Sequence, residues 1–289
     1  MKMSINIYID GDILVYQSMW GANSTKDIKK KLDQTIASIM SELEGSTGKI
    51  AIKGSDNFRK EIYPEYKGHR KKELTKQEKE FFAYSYDYLQ NGWGAIAANG
   101  MEADDLLAIW NTEKPGIIVS IDKDLLQVPG LHFNTRNKEY TNVTEDEGSL
   151  LLHTQVLMGD SVDNITGLKG IGKVKAAKVM EGVPVSQHLS AVKSFWQKTF
   201  GRGWEDDLQL NMDLIYLKRS MDDRYDIRTG KRFVKTVRNS NREGLEVNTD
   251  VSSNDGVRVG TRNSISTNEK GSSKTTKETD SIGSIVAEF

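Results

Sequence analysis

The chain has 289 residues, of which 37% are hydrophobic and 28% charged, and its 40 Lys and Arg against 41 Asp and Glu leave a formal net charge of −1. That length gives one or two domains with an apolar content that is lean but sufficient for a core, and the charge balance excludes a uniformly basic nucleic-acid coat while permitting a local basic face. Cysteine is absent, which excludes disulfides, Cys-ligated metal centres and a thiol nucleophile. Residues 5–9 (INIYI) read as a short buried strand ended by Asp10-Gly11-Asp12. Ile28, Leu32, Ile36, Ile39, Met40 and Leu43 are spaced for a helix over 25–44. KIAIK (49–53) is a second strand, Thr75–Gln90 a charged, aromatic helix, Ala95–Ala98 a short strand and Glu102–Asn111 a helix. GIIVSI (116–121) is the clearest buried strand and runs into Asp122-Lys123-Asp124.

Strands alternating with helices predict a parallel α/β sheet, in which ligands sit beyond the carboxyl ends of the strands. Asp10 and Asp122 stand at such ends, and Asp56 nearly does. From Glu145 to about Arg219 the pattern is helical without a strand. Residues 235–289 are rich in Ser, Thr, Asn, Gly and charge and hold no aromatic residue before Phe289, a composition that does not offset its ordering entropy. The domain reading is 1–144 for an α/β core, 145–230 for a helical region and 231–289 for a disordered tail. The four His show no metal spacing, the N-terminus lacks a signal-peptide apolar stretch, and no apolar run is long enough for a membrane span. The expectation is a soluble, cytoplasmic protein with no membrane partner.

The acids carry the chemistry. Glu102, Asp104 and Asp105 open a helix, and Glu102/Asp105 and Asp160/Asp163 have the i, i+3 spacing that shares a helix face. Taken singly, such an acid caps a helix. As a converging set they would repel one another strongly enough to raise pKa values or demand cations. Oxygen ligands without His or Cys select Mg²⁺ or Mn²⁺, and two such ions about 4 Å apart serve phosphodiester hydrolysis.

Two other elements suit phosphate. Residues 49–79 hold ten Lys and Arg against five Asp and Glu, and within them Tyr63–Lys72 interleaves tyrosines with Lys67, Arg70, Lys71 and Lys72. Such a run fits a nucleic-acid backbone, and equally a solvated helix face. Gly167-Leu168-Lys169-Gly170-Ile171-Gly172-Lys173-Val174-Lys175 offers close backbone approach, a following helix N-terminus and lysines. There Ile171, Val174, Ala177 and Val179 are expected to bury the opposite side.

The strings YIDGDILVYQ, NFRKEIYPEYKGHRK, GMEADDLLA, VSIDKDLLQVPG and LMGDSVDNITGLKGIGKVKAAK, in this order over residues 5–182, resemble the 5′-nuclease family of flap endonucleases and 5′→3′ exonucleases, most of all its short-tailed phage branch. The resemblance implies a PIN-like parallel-sheet core with a helical, DNA-binding helix–three-turn–helix subdomain. It implies a first metal cluster of Asp10, Glu102, Asp104 and Asp122, support from Asp105 and Asp124, and a second metal on Asp160 and Asp163. Lys67 and Arg70 would steady the scissile phosphate and Tyr66 would stack the terminal base, with Lys71 and Lys72 beside it. Gly167, Gly170, Gly172, Lys173 and Lys175 would hold duplex phosphate, with a potassium ion there. The implied substrates are duplex DNA with 5′ ends, nicks or flaps, and RNA–DNA hybrids, in phage replication or host-DNA degradation within an infected bacterial host. The C-terminal tip is a weak candidate for docking on a replication partner. The family usually has an acid directly after the second strand; here Gly54 aligns with it and Asp56 follows two residues later, so either Asp56 holds metal in its place through a shifted loop or the site is one carboxylate poorer. The segment from Arg70 to Gly100 is short for a helical arch. The competing readings are a PIN-type ribonuclease, which has no need of the glycine–lysine element, and a non-catalytic DNA-binding module that keeps the fold.

Overall fold

The computed structural model describes residues 5–44, 47–70 and 73–234. The first part of the chain forms β1 (Asn6–Asp10), α1 (Gly11–Met19), α2 (Thr25–Glu42), β2 (Thr47–Lys53), α3 (Phe58–Ile62), α4 (Lys76–Trp93), β3 (Ile96–Ala98), α5 (Ala103–Glu113), β4 (Ile117–Val119), β5 (Gly130–Asn134) and β6 (Glu139–Val143). These strands make one sheet in the order β3-β2-β1-β4-β5-β6. All neighbours are parallel except β6, which returns antiparallel to β5. β1 is buried along its whole length, with Ile9 opposite Ile50 on one side and Val119 on the other.

The strands are apolar runs because helices cover both faces. Ile7, Ile9, Ile50, Ile52, Val119 and Phe133 pack with Leu14, Ile28, Leu32, Ile36, Ile39, Phe81 and Leu89 from α1, α2 and α4. The alternate residues Tyr8, Ala51 and Ile118 face Leu107 and Ile109 of α5. Side chains set the helix starts: Ser24 accepts the Asp27 amide at 3.2 Å, and Thr75 and Glu78 close a reciprocal box ahead of α4.

The second part forms α6 (Glu145–Met158), β7 (Gly159–Asp160), β8 (Ile165–Thr166), α7 (Lys173–Met180), α8 (His188–Phe200), α9 (Trp204–Ile215), β9 (Asp223–Asp226) and β10 (Lys231–Val234). Its own core joins Leu152 and Val156 of α6 to Met180, Trp196, Leu208 and Met212. The glycine–lysine element is the turn between β8 and α7, where Gly170 sits at φ +78° in the region glycine tolerates.

Several elements differ from the sequence reading. α1 carries consecutive Ile13, Leu14 and Val15, which lack helical spacing but are all buried, Leu14 and Val15 in the core against the sheet and Ile13 at the smaller of the two clefts described below. β5 and β6 extend the sheet beyond the strands read from periodicity; β6 is a mostly exposed edge and so carries no apolar signal. On α7 the buried residues are Ala176 and Met180; of the expected face Ile171 and Val179 pack partly buried on the helical core, whereas Val174 is 82% exposed and Ala177 is also exposed. The hairpin β9–β10 runs to Val234, four residues past the expected boundary at 230, and residues 235–289 lie outside the described residues.

Candidate active site

The chain runs from β1 outward to β2 and β3, then crosses back to place β4 on the other side of β1. A crevice opens at the carboxyl ends of strands where the winding reverses, and Asp10 ends β1 while Asp122 follows β4. Ser120 ties the two together. Its hydroxyl donates to Asp10 Oδ2 at 2.8 Å and accepts the Asp122 amide at 3.0 Å. Asp10 Oδ1 also accepts the Ile13 amide at 3.2 Å. Asp124 donates its amide to Asp122 Oδ1 at 2.9 Å and accepts from Gln155 Nε2 of α6 at 2.6 Å. Asp160 accepts the Val162 amide at 2.7 Å, which folds the turn that carries Asp163.

Two clefts, of about 870 and 400 Å³, share Lys67, Arg70, Glu102, Asp104 and Asp122 in their walls. The larger adds Asp124, Asp160 and Asp163; the smaller adds Asp10, Asp12 and Asp56. The basic segment crosses between them. Lys67 Nζ lies 2.6 Å from Glu102 Oε1 and 3.6 Å from Asp163 Oδ2. Arg70 pairs with Asp163 and donates to the Val162 carbonyl at 3.0 Å. The Tyr66 hydroxyl reaches Glu102 at 2.8 Å and Asp163 at 2.9 Å.

The crowding of acids shows in their protonation. Burial pushes Asp10 up to about 7, with Asp12 and Asp122 adding to it. Burial does the same to Asp124, also to about 7, reinforced by Asp122 and Asp160. Asp104 is raised well above the ordinary carboxylate range by burial and then by Asp122 and Asp10. Glu102 goes the other way: burial opposes its charge, but Lys67 and Arg59 outweigh it and hold the carboxyl at about 2. Lys67 in turn is raised, because Glu102 and Asp163 overcome the burial that would lower it.

The family model described as the 5′–3′ exonuclease N-terminal, resolvase-like domain matches residues 7–150, the stretch that contains this sheet and its first acids. That stretch of the chain is a 5′–3′ exonuclease N-terminal domain. It is 30% identical over 186 residues to the flap endonuclease of Escherichia phage T5, covering 55% of this chain and 63% of that protein. It is 33% identical over 138 residues to DNA polymerase I of Rhizobium leguminosarum, covering 43% of this chain and 14% of the polymerase. The matched stretch thus spans less than two thirds of either relative. Among solved structures, the T5 D15 protein co-crystallised with metal ions superposes with a TM-score of 0.58 at 22% identity, covering 73% of this chain and 89% of that one. T5 5′-exonuclease with bound zinc gives 0.57 at 21% identity over 73% of this chain and 89% of that one. The 5′–3′ exonuclease fold is therefore shared over 73% of this chain.

Against this family pattern, the structure brings Asp10, Glu102, Asp104, Asp122, Asp124, Asp160 and Asp163 to the two clefts and sends others elsewhere. Asp105 is fully buried, lines neither cleft and is gripped by Arg59, with Nη2 to Oδ1 at 3.0 Å, while it accepts the Glu102 amide at 3.0 Å. Asp56 reaches the rim of the smaller cleft, but its Oδ1 accepts the Gly100 amide at 2.9 Å and so closes the loop before α5. The expected stacking role of Tyr66 does not fit, because the ring is 2% exposed and packed in the helical core. At Gly54 a Cβ would lie 2.4 Å from the Ala98 carbonyl oxygen, so this backbone has no room for the family's acid there. Lys71 and Lys72 lie outside the described residues. Gly167, Gly170 and Gly172 line a separate open cleft with Lys169 and His69, and Lys173 and Lys175 follow on the first turn of α7.

Sequence reasoning missed Asp12 as a site residue, although the Asp-Gly-Asp ending of the first strand held the signal. Its Oδ1 accepts the Lys53 amide at 3.0 Å and it lines the smaller cleft. Ser120, Gln155 and Arg59 carried no signal, since each acts through a partner distant in sequence. Among the described residues no three carboxylates or imidazoles stand arranged to hold one ion as they are; Lys67, Arg70 and Tyr66 instead engage Glu102 and Asp163. The donor set still fits hard divalent cations: it is all oxygen, and Asp10, Asp104 and Asp124 are acids whose charge burial and neighbours disfavour until a cation offsets it.

Proposed function

We propose that the protein is a divalent-metal-dependent 5′→3′ nuclease that hydrolyses phosphodiesters at 5′ ends, nicks or flaps of duplex DNA. The observation that carries this reading is the meeting of Asp10, Glu102, Asp104, Asp122, Asp124, Asp160 and Asp163 on two adjoining clefts that share Lys67 and Arg70. Asp10, Glu102, Asp104 and Asp122 would hold one Mg²⁺ or Mn²⁺, and Asp160 and Asp163 the second, with Asp124 beside them. Two such ions, when bound, supply water activation and neutralise the leaving oxygen.

The chain's own groups do the rest. Lys67 and Arg70 are already fixed at the wall both clefts share, and their donors can pass from Glu102 and Asp163 to a phosphate oxygen. Ser120 holds Asp10 and the Asp122 turn in register. The glycine turn and the α7 lysines offer backbone N–H groups and charge to duplex phosphate, which reads structure and not base sequence. RNA–DNA hybrids belong to the same proposal. A potassium ion at the 167–172 turn rests on the family resemblance alone. The phage T5 relative supports a place in phage DNA replication or host-DNA degradation, in the cytoplasm of an infected bacterium. No helix among the described residues is long and apolar enough to cross a membrane.

The test is product mapping from 5′-labelled and 3′-labelled duplex, nicked and flap DNA, with Mg²⁺ or EDTA. Mg²⁺-dependent release from the 5′ side is expected. Release from 3′ ends, or cleavage that persists in EDTA, contradicts the reading.

A further inference from the structure

Arg59 lies on α3, immediately before the Tyr63–Arg70 segment, and is 1% exposed. Its guanidinium binds two separate parts of the molecule, the start of α5 and the exit of α9. Nη1 and Nη2 grip both oxygens of Asp105, at 2.5 and 3.0 Å, in the first turn of α5. Nε donates to the Leu214 carbonyl at 2.8 Å and Nη2 to the Tyr216 carbonyl at 2.9 Å, at the end of α9. Nη1 stands 3.8 Å from Glu102 Oε2. Asp105 then accepts the Glu102 amide at 3.0 Å and the Lys218 amide at 3.0 Å. The Phe58 amide also donates to the Gly100 carbonyl at 3.1 Å, so α3 is bound to the loop leading into α5 as well.

We propose that Arg59 is a positioning residue that sets the placement of Glu102 and of the Lys67–Arg70 segment relative to the helical part that carries the glycine–lysine turn. Its guanidinium joins α3, the start of α5 and the exit of α9 directly. The fork geometry explains why Arg serves here. A guanidinium satisfies a carboxylate bidentately and two carbonyls at once, whereas the ammonium of Lys presents its donors from one point. Burial also argues for a positional role: a buried ion pair contributes little net stability over apolar packing, and its attested use is to fix one arrangement among alternatives. Glu102 sits in the wall shared by both clefts, so a slackened α5 start would displace a group common to both.

This inference rests on the nuclease reading for its functional consequence but has its own readout. The full chain is compared as wild type, Arg59→Lys, the double variant Arg59→Met/Asp105→Asn, which leaves no unpaired buried charge, and Leu32→Ala, a core substitution in α2 remote from both clefts. Amide hydrogen exchange is expected to rise at residues 63–70 and 102–106 in both Arg59 variants and not in Leu32→Ala. The turnover of folded protein on nicked duplex is expected to fall by about 10- to 100-fold in the Arg59 variants, the cost of ångström-scale misplacement, with duplex affinity in EDTA unchanged. Leu32→Ala should lower the melting temperature and keep its turnover. Unchanged exchange at those segments in folded Arg59→Lys and in the double variant overturns the inference. So does an equal loss of turnover in Leu32→Ala. A wild type that does not cleave while exchange still responds to Arg59 overturns the nuclease reading and leaves the positional role standing.

Discussion

Asp104 and Asp105 are adjacent in sequence and should respond to the same substitution with opposite signs. Asp105 is fully buried against Arg59, itself 1% exposed. Neutralising it as Asp105→Asn removes the bidentate counter-charge and leaves the guanidinium only the Glu102 carboxylate at 3.8 Å, and breaking one side of a buried pair costs about 3–5 kcal/mol. At about 2–4 °C per kcal/mol for a folded unit of this size, the melting temperature should drop by about 6–20 °C. Asp104 stands near Asp122, Asp10 and Glu102, and burial together with those charges disfavours its ionised form. Asp104→Asn removes that repulsion and should leave the metal-free protein as stable as wild type or more so. The assay is thermal unfolding by circular dichroism in EDTA at pH 7. A large loss for Asp104→Asn, or none for Asp105→Asn, would refute the assignment of one residue to the cleft and the other to the fold.

Other consequences follow from the same geometry. Lys67→Ala should slow cleavage by about 10²- to 10³-fold, the range for removing one donor to a developing charge, with duplex affinity in EDTA little changed; an equal loss in both would make Lys67 a binding residue only. Gly54→Asp should destabilise the fold by about 1–3 kcal/mol, the cost of overpacking, because its Cβ meets the Ala98 carbonyl, and it should not tighten Mg²⁺ binding; a gain in metal affinity would show that the loop can open. Burial holds the His153 imidazole down at about 4, below its ordinary 6.5, with Nδ1 donating to the Ser149 carbonyl at 2.7 Å. Protonation is thus disfavoured in the folded state, so its stabilising share is complete above pH 6.5 and is lost as pH falls toward 4, by about 3 kcal/mol. Urea unfolding of wild type and His153→Gln across that range should show the difference, and a constant gap between the two would contradict it.

The parallel sheet was legible because INIYI, KIAIK and GIIVSI are apolar runs, and such runs appear when both sheet faces are covered. Asp10 and Asp122 followed from that sheet alone, since ligand clefts lie at the carboxyl ends of its strands. The burial of Asp105 was not legible, because the i, i+3 rule puts it on one face with Glu102 without saying whether that face meets solvent or Arg59, a partner 46 residues away. Tyr66 was misread for a related reason: an aromatic within a basic run looks exposed, but Glu102 and Asp163 offer its hydroxyl two acceptors and the ring fills the helical core. β6 stayed hidden because an exposed antiparallel edge needs no apolar pattern.

The claim on which the rest depends is that acids from distant parts of the chain jointly hold divalent cations. Mn²⁺ binding, followed by electron paramagnetic resonance in the absence of DNA, measures it without reference to cleavage. The wild type should bind two Mn²⁺ saturably and Asp122→Asn should bind fewer or more weakly, since Asp122 lines both clefts. No saturable binding by the wild type, or the same isotherm for the variant, would contradict the account.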